Sequence, residues 1–121
     1  MRSIDLKDRI KLFAHRCVKF ATAIPKSTLG NHVRGQLIRS STSVAANYRA
    51  TCLAQSKAGF IAKLSIVIEE VDETCFWMEF VIDEKLIAAE MASTLLQEAK
   101  ELTAILIASR KTAKNRENIK N

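Results

Sequence analysis

Turn-forming residues are scarce in this chain. Three Gly and one Pro in 121 residues interrupt the backbone rarely, so long helices are the natural outcome. Cysteines are few as well: Cys17, Cys52 and Cys75 form no C-x-x-C pair, which excludes the usual zinc patterns. All three sit among apolar positions of helical patterns and read as buried structural thiols. No apolar run approaches the roughly 18 residues of a membrane span; the longest are Leu64–Ile68 and Ala104–Ala108. The N-terminal stretch MRSIDLKDRIKLF alternates charged and apolar residues and lacks the continuous apolar core of a secretion signal. A cytoplasmic protein without a membrane partner is expected. Gly-rich phosphate loops, a nucleophile elbow and Cys/His pairing are all missing, and no cofactor or metal site is expected.

What remains is ordinary globular material. Hydrophobic residues make up 48% and charged residues 26%, which argues against disorder, and the length suits one domain. The net charge of +6 is unevenly spread. Ten Lys/Arg face two Asp/Glu over residues 1–55, four face ten over 56–109, and five face one over 110–121. The first two stretches neutralise each other on folding, leaving the tail as the main uncompensated charge.

Periodicity predicts four helices. Leu6, Ile10, Phe13, Cys17, Phe20 and Ile24 form one stripe of a helix over 5–24, which Pro25 ends. Residues 26–31 read as a polar loop. A second helix spans 32–53, with Asn31 as N-cap and Val33, Leu37, Ser41, Val44, Tyr48 and Cys52 inward. Its small residues, Ser40 to Ser43 and Ala45-Ala46, keep it slim for close approach. Ser56 caps a third helix over 57–83, with Phe60, Leu64, Val67, Val71, Cys75, Met78 and Ile82 on one stripe. A second apolar set on it, including Ile61, Ile66, Ile68, Phe76, Trp77, Phe80 and Val81, is more than one small monomer hides. A fourth helix spans 85–111, facing inward with Ala88, Met91, Leu95, Leu102 and Leu106. Short connections imply an all-α, antiparallel up-down-up-down four-helix bundle over 1–111, followed by a frayed basic, polar tail over 112–121.

The central hairpin carries the most distinctive charges. A turn near residue 55 places Arg39 opposite Val71, within reach of Glu69, Glu70, Asp72 or Glu73, and Arg34 near Cys75 and Phe76. Arg39 is expected to pair with one carboxylate of that cluster, since its planar fork can bind a carboxylate with two hydrogen bonds. Dimetal helical sites use Glu-x-x-His motifs, and neither His15 nor His32 follows a Glu at that spacing. Asn47 is expected to bond a neighbouring helix, Tyr48 to pack in the core, and Arg49, Trp77 and Phe80 to serve helix or subunit contacts. Arg9 and His15 have the spacing seen in some helical ribonucleases of the HEPN type, but six residues turn a helix by 240° net, so the two do not share a face.

The same residues carry a family likeness. Pro25, then Gln36, Arg39, Ser40, Ser41, Ser43 and Asn47, then Ser56, Lys57, Phe60, Ile61, Leu64, Glu69, Glu70 and Glu73 match the pattern of the proteins encoded in intervening sequences of 23S ribosomal RNA genes. The chain resembles that family over residues 12–108, most strongly over 36–83. It departs at Asn47-Tyr48-Arg49-Ala50, where Ile-Ala-Glu-Gly is usual, and there resembles a branch reading Ala-Asn-Tyr-Arg-Ala; any role tied to the usual Glu does not carry over.

The resemblance implies a closed ring, typically a homopentamer, in keeping with the second apolar face of the third helix. It also implies likeness to accessory proteins of diversity-generating retroelements, which engage a reverse transcriptase and nucleic acid through a basic surface. It implies no enzymatic activity. The expected function is a non-enzymatic, self-assembling scaffold that meets nucleic acid or a reverse-transcriptase-like partner through Arg2, Lys7, Arg9, Lys11, Arg16, Lys19, Arg110, Lys111, Lys114, Arg116 and Lys120. The alternatives are a ribonuclease using Arg9 and His15, or an interaction module that binds no nucleic acid. With at most two aromatics free to stack on bases, sequence-specific RNA reading is poorly supported.

Overall fold

The structure is a computed structural model that describes residues 3–120. Four α-helices run over Ser3–Thr22 (α1), Thr28–Cys52 (α2), Lys57–Asp83 (α3) and Ala89–Lys120 (α4); no strand occurs among the described residues. The helices close into a cycle: α1 packs on α2 and α4, and α3 packs on α2 and α4. One core lies between them, centred on Ile10, Phe13, Leu37, Leu64, Met78 and Leu102, all fully buried.

The connection between α1 and α2 is tighter than its polar sequence suggests. After Thr22 the chain narrows, with Ala23 and Ile24 donating to the carbonyls of Phe20 and Ala21, each at 3.1 Å. Ser27, not Asn31, caps α2: its hydroxyl accepts from the Gly30 N–H at 2.8 Å. Gly30 is therefore a first-turn helical residue, and it is buried. A Cβ there would lie 2.1 Å from the Pro25 carbonyl oxygen, so only glycine lets the two segments approach. Asn31 sits inside the helix and accepts from Arg34 Nη1 at 2.8 Å. Arg34, expected near Cys75 and Phe76, bonds the α1–α2 connection: its other nitrogen, Nη2, donates to the Ile24 carbonyl at 2.5 Å, a carbonyl just past the end of α1.

The slim middle of α2 meets α3 closely. Ser40 and Ser41 are fully buried, as is Thr74 on α3, and the Ser40 and Thr74 hydroxyls lie 3.0 Å apart. Thr74 donates to the Glu70 carbonyl at 2.8 Å, so the polar atoms stay satisfied inside an apolar seam. α3 is capped by Ser56, which accepts from the Gly59 N–H at 3.0 Å. Its inward face is Leu64, Val67, Ile68, Val71, Thr74, Met78 and Val81. Phe60, Cys75 and Ile82 lie only partly inside, because a seven-residue stripe drifts around a 3.6-residue helix.

α3 ends with Leu86 donating back to the Val81 carbonyl at 3.0 Å, around Lys85 in the left-handed region (φ 58°), a position where glycine is usual. α4 begins four residues later than the pattern predicts, and its inward face differs too. Met91 is 60% exposed and Ala88 is exposed, whereas Ala92, Leu95, Ala99, Leu102 and Leu106 are buried. At its far end α4 continues as helix through the stretch expected to fray. Residues 112–120 contain neither Gly nor Pro, and Ala113 is buried.

Candidate functional site

Two arginine clusters tie the helices together, one on each side. On the α2–α3 seam, Arg39 Nη1 meets Glu70 at 3.2 Å and Nη2 meets Glu73, while Nε donates to Gln36 at 3.3 Å. Glu69 and Asp72 point away and are exposed, so the pairing involves two of the four acids. Arg39 holds the Glu73 carboxyl below its usual range and is itself pulled up by that bond. With the Arg39 side chain 47% exposed, this is a surface cluster, worth about 0–1 kcal/mol.

The second cluster escaped the sequence reading. On the α1–α4 seam, Arg9 grips Glu98 with both edges of its fork, Nε at 2.8 Å and Nη2 at 2.6 Å, and also meets Glu101 at 3.2 Å. Glu98 is 17% exposed, and the arginine bond drives its carboxyl below the usual range. This commits Arg9 internally and removes it from the set of free basic contacts. It also separates Arg9 from His15, which is exposed, so no Arg/His pair of the ribonuclease type is assembled. The signal available in the sequence was Glu98 and Glu101 at i, i+3 spacing, which places both on one face of α4.

Beyond Glu73 the α2–α3 seam becomes aromatic. Trp77 Nε1 donates to Glu73 at 3.2 Å. His32 stands edge-on to Trp77 at 5.5 Å between ring centroids, and Phe76 and Phe80 pack against the indole at 4.9 and 5.8 Å. Phe76 remains 51% exposed, and Ile66 on the same helix is 46% exposed. Trp77 and Phe80 are half-buried. The patch is thus partly covered within the chain and partly open, with Glu79 and Asp83 beside it.

The other singled-out residues divide. Asn47 donates to the Ser43 carbonyl of its own helix at 2.9 Å and makes no interhelix bond. Tyr48 is buried, and burial followed by its neighbour Cys52 pushes its phenol up to about 12. Arg49 is exposed. Of the cysteines, only Cys17 is fully buried, Cys75 is half-buried and Cys52 is exposed; at the fraying end of α2 the inward position passes to Thr51. Burial raises the thiols of Cys17 and Cys75 to about 12 and 11, which keeps them protonated and unreactive. Lys7, Lys11, Lys19, Lys111, Lys114 and Arg116 are exposed, and Arg16 is half-buried. Arg110 donates to Ser65 on α3 at 3.2 Å. Arg2 and the side chain of Lys120 lie outside the described part. Among the described residues no group of three or more His, Cys, Asp or Glu is placed to hold a metal ion, and no helix is long and apolar enough to cross a membrane.

Comparison with known proteins agrees with this architecture. The model of a family described as 23S rRNA-intervening sequence protein matches residues 2–108. The chain is also similar to the crystal structure of a protein of unknown function from the S23 ribosomal protein family of Bacteroides thetaiotaomicron. The two share 32% identity over 92% of this chain and 99% of that one, with a TM-score of 0.84. No curated protein matches the chain.

Proposed function

This chain belongs to the 23S rRNA-intervening sequence protein family, and on that premise we propose that it is a non-enzymatic scaffold that assembles with copies of itself. The observation that carries this reading is the open aromatic patch of α3, with Phe76 51% exposed at its centre. Monomers seldom leave large apolar side chains clustered on one face, and such patches mark association surfaces. The fold beneath it is an up-down-up-down bundle. In support, partners across the α2–α3 seam run in opposite directions along the chain: His32 meets Trp77 near one end, and Ser40 meets Thr74 further along. Five copies closing in a ring is the assembly that the family likeness implies, and a ring repeats each subunit's basic residues.

Those residues supply the second half of the proposal. Lys11, Arg16 and Lys19 on α1, and Lys111, Lys114 and Arg116 on α4, bind nucleic acid, or a reverse-transcriptase-like partner that itself holds nucleic acid. Most of them are exposed and have no acidic partner among the described ion pairs. Repeated around a ring, weak phosphate contacts add through multivalency. A salt series on single- and double-stranded RNA and DNA tests this. Binding should weaken steeply as salt rises, and Lys111→Ala with Lys114→Ala should shallow the slope. Absence of binding at low salt would leave a scaffold that contacts protein alone.

A further inference from the structure

A groove at the other end of the molecule shares only Arg116 with that scheme. The stretch of α4 from Ile105 to Arg116 runs beside the α2–α3 turn and leaves an open cleft of about 780 Å³ between them. Its floor is apolar, made by Phe60, Ile105 and the buried Ala113, with Ala108 at the rim, and among the described residues its ionisable lining groups are Lys57 and Arg116. Among the described residues no acid lines it, and the first turn of α3, which forms one lip, carries none. A second, more enclosed cavity of about 330 Å³ shares Ala54, Phe60, Ile105 and Ser109 with the cleft and runs inward to Leu6 and Tyr48.

Two cations over an apolar floor, with an inner recess, suit a particular kind of occupant. A nucleic acid would satisfy the cations, but its bases would find one aromatic ring, Phe60, among aliphatic side chains rather than a row of aromatic platforms. An extended peptide would find no sheet edge to join, because both walls are helix and turn. The wall from Ile105 to Arg116 is about 16 Å long at the helical rise, or three turns, which matches a short helix laid in a groove. We propose that this cleft docks an acidic amphipathic helix of about three turns from a partner protein. One large apolar side chain enters the inner cavity, and flanking carboxylates meet Lys57 and Arg116. The site shares no residue with the α3 aromatic patch, so it stands whether or not that patch carries self-assembly.

The test uses the full chain and a fluorescein-labelled helical peptide with Leu at i, i+3, i+4 and i+7 and Glu on the flanks, read by anisotropy. Saturable binding is expected. Ala108→Trp, which fills the cleft from an exposed position, should weaken it at least tenfold, as should Lys57→Glu combined with Arg116→Glu. A scrambled peptide of the same composition should bind at least tenfold more weakly, and a single-stranded RNA oligonucleotide, held by basic residues elsewhere on the chain, should not displace the amphipathic peptide. Circular dichroism of each variant verifies its fold, and a variant that loses helicity is replaced by Ala108→Gln. Lack of saturable binding, binding indifferent to the Ala108 substitution, or RNA competing as well as the peptide would each overturn the proposal.

Discussion

Arg9 and Glu98 are joined by two parallel hydrogen bonds across the α1–α4 seam, at 2.8 and 2.6 Å, in a setting drier than that of Arg39 and Glu73. Glu98 is 17% exposed where Glu73 is 37% exposed. The arginines differ in the same sense, Arg9 at 24% and Arg39 at 47% exposed; removing Arg9 strips Glu98 of two bonds at once, whereas removing Arg39 takes one bond each from Glu70 and Glu73, and Glu73 keeps that from Trp77. Arg9→Ala should therefore cost about 1–3 kcal/mol and Arg39→Ala about 0–1 kcal/mol. Denaturant melts of the two variants check this; equal losses would mean that exposure does not rank the clusters.

The same pairing sets the acid limb of stability. The carboxyls of Glu98 and Glu73 lie below their unfolded range, so the unfolded chain binds protons first as pH falls. Their contribution is fully present above the unfolded value of about 4.3 and is lost as pH drops through the folded values. Stability should decline from about pH 5 downwards, and Glu98→Gln should flatten that decline while leaving a less stable protein at neutral pH. Parallel acid limbs for the variant and the parent would assign the decline to other groups.

Two glycines on one helix should respond in opposite senses to alanine. At Gly30 the added Cβ would lie 2.1 Å from the Pro25 carbonyl oxygen, a backbone atom that moves only with the turn. Gly30→Ala should cost about 1–3 kcal/mol, the range for overpacking. At Gly35 nothing lies within 4 Å, and Gly35→Ala should stabilise α2 by about 0.5–1 kcal/mol. Thermal melts decide it; a stabilising change at Gly30 would show that the α1–α2 connection relaxes freely.

How much of this was legible follows from signal strength. The 4-3 spacing of Leu6 to Phe20 states the inner face of α1 outright, because an apolar residue occupies every inward turn and all are buried. The start of α2 was hidden, since Gly30 reads as a loop residue until the Pro25 carbonyl is seen against it. On α4, pattern reading favours the bulkier Met91, but close packing takes Ala92, Ala99 and Ala113, whose single methyl groups carry little periodic signal. The Arg9 cluster was invisible for a different reason. α1 and α4 are joined by no turn, so no short connection fixes which residues face each other. By contrast, the tight joint near residue 55 anchors the register of α2 on α3 and makes the neighbourhood of Arg39 readable. Neither the exposure of Cys52 nor the own-helix bond of Asn47 is encoded in periodicity, as both depend on side-chain direction at a helix end or flank.

The account rests on the open aromatic face of α3 being covered by another copy of the chain. Light scattering coupled to size exclusion measures this directly. The account predicts a species near five times 13.5 kDa for the parent chain, and a single-copy mass for Phe76→Glu with its helical content retained. A parent chain that elutes as a stable monomer at micromolar concentration would contradict it.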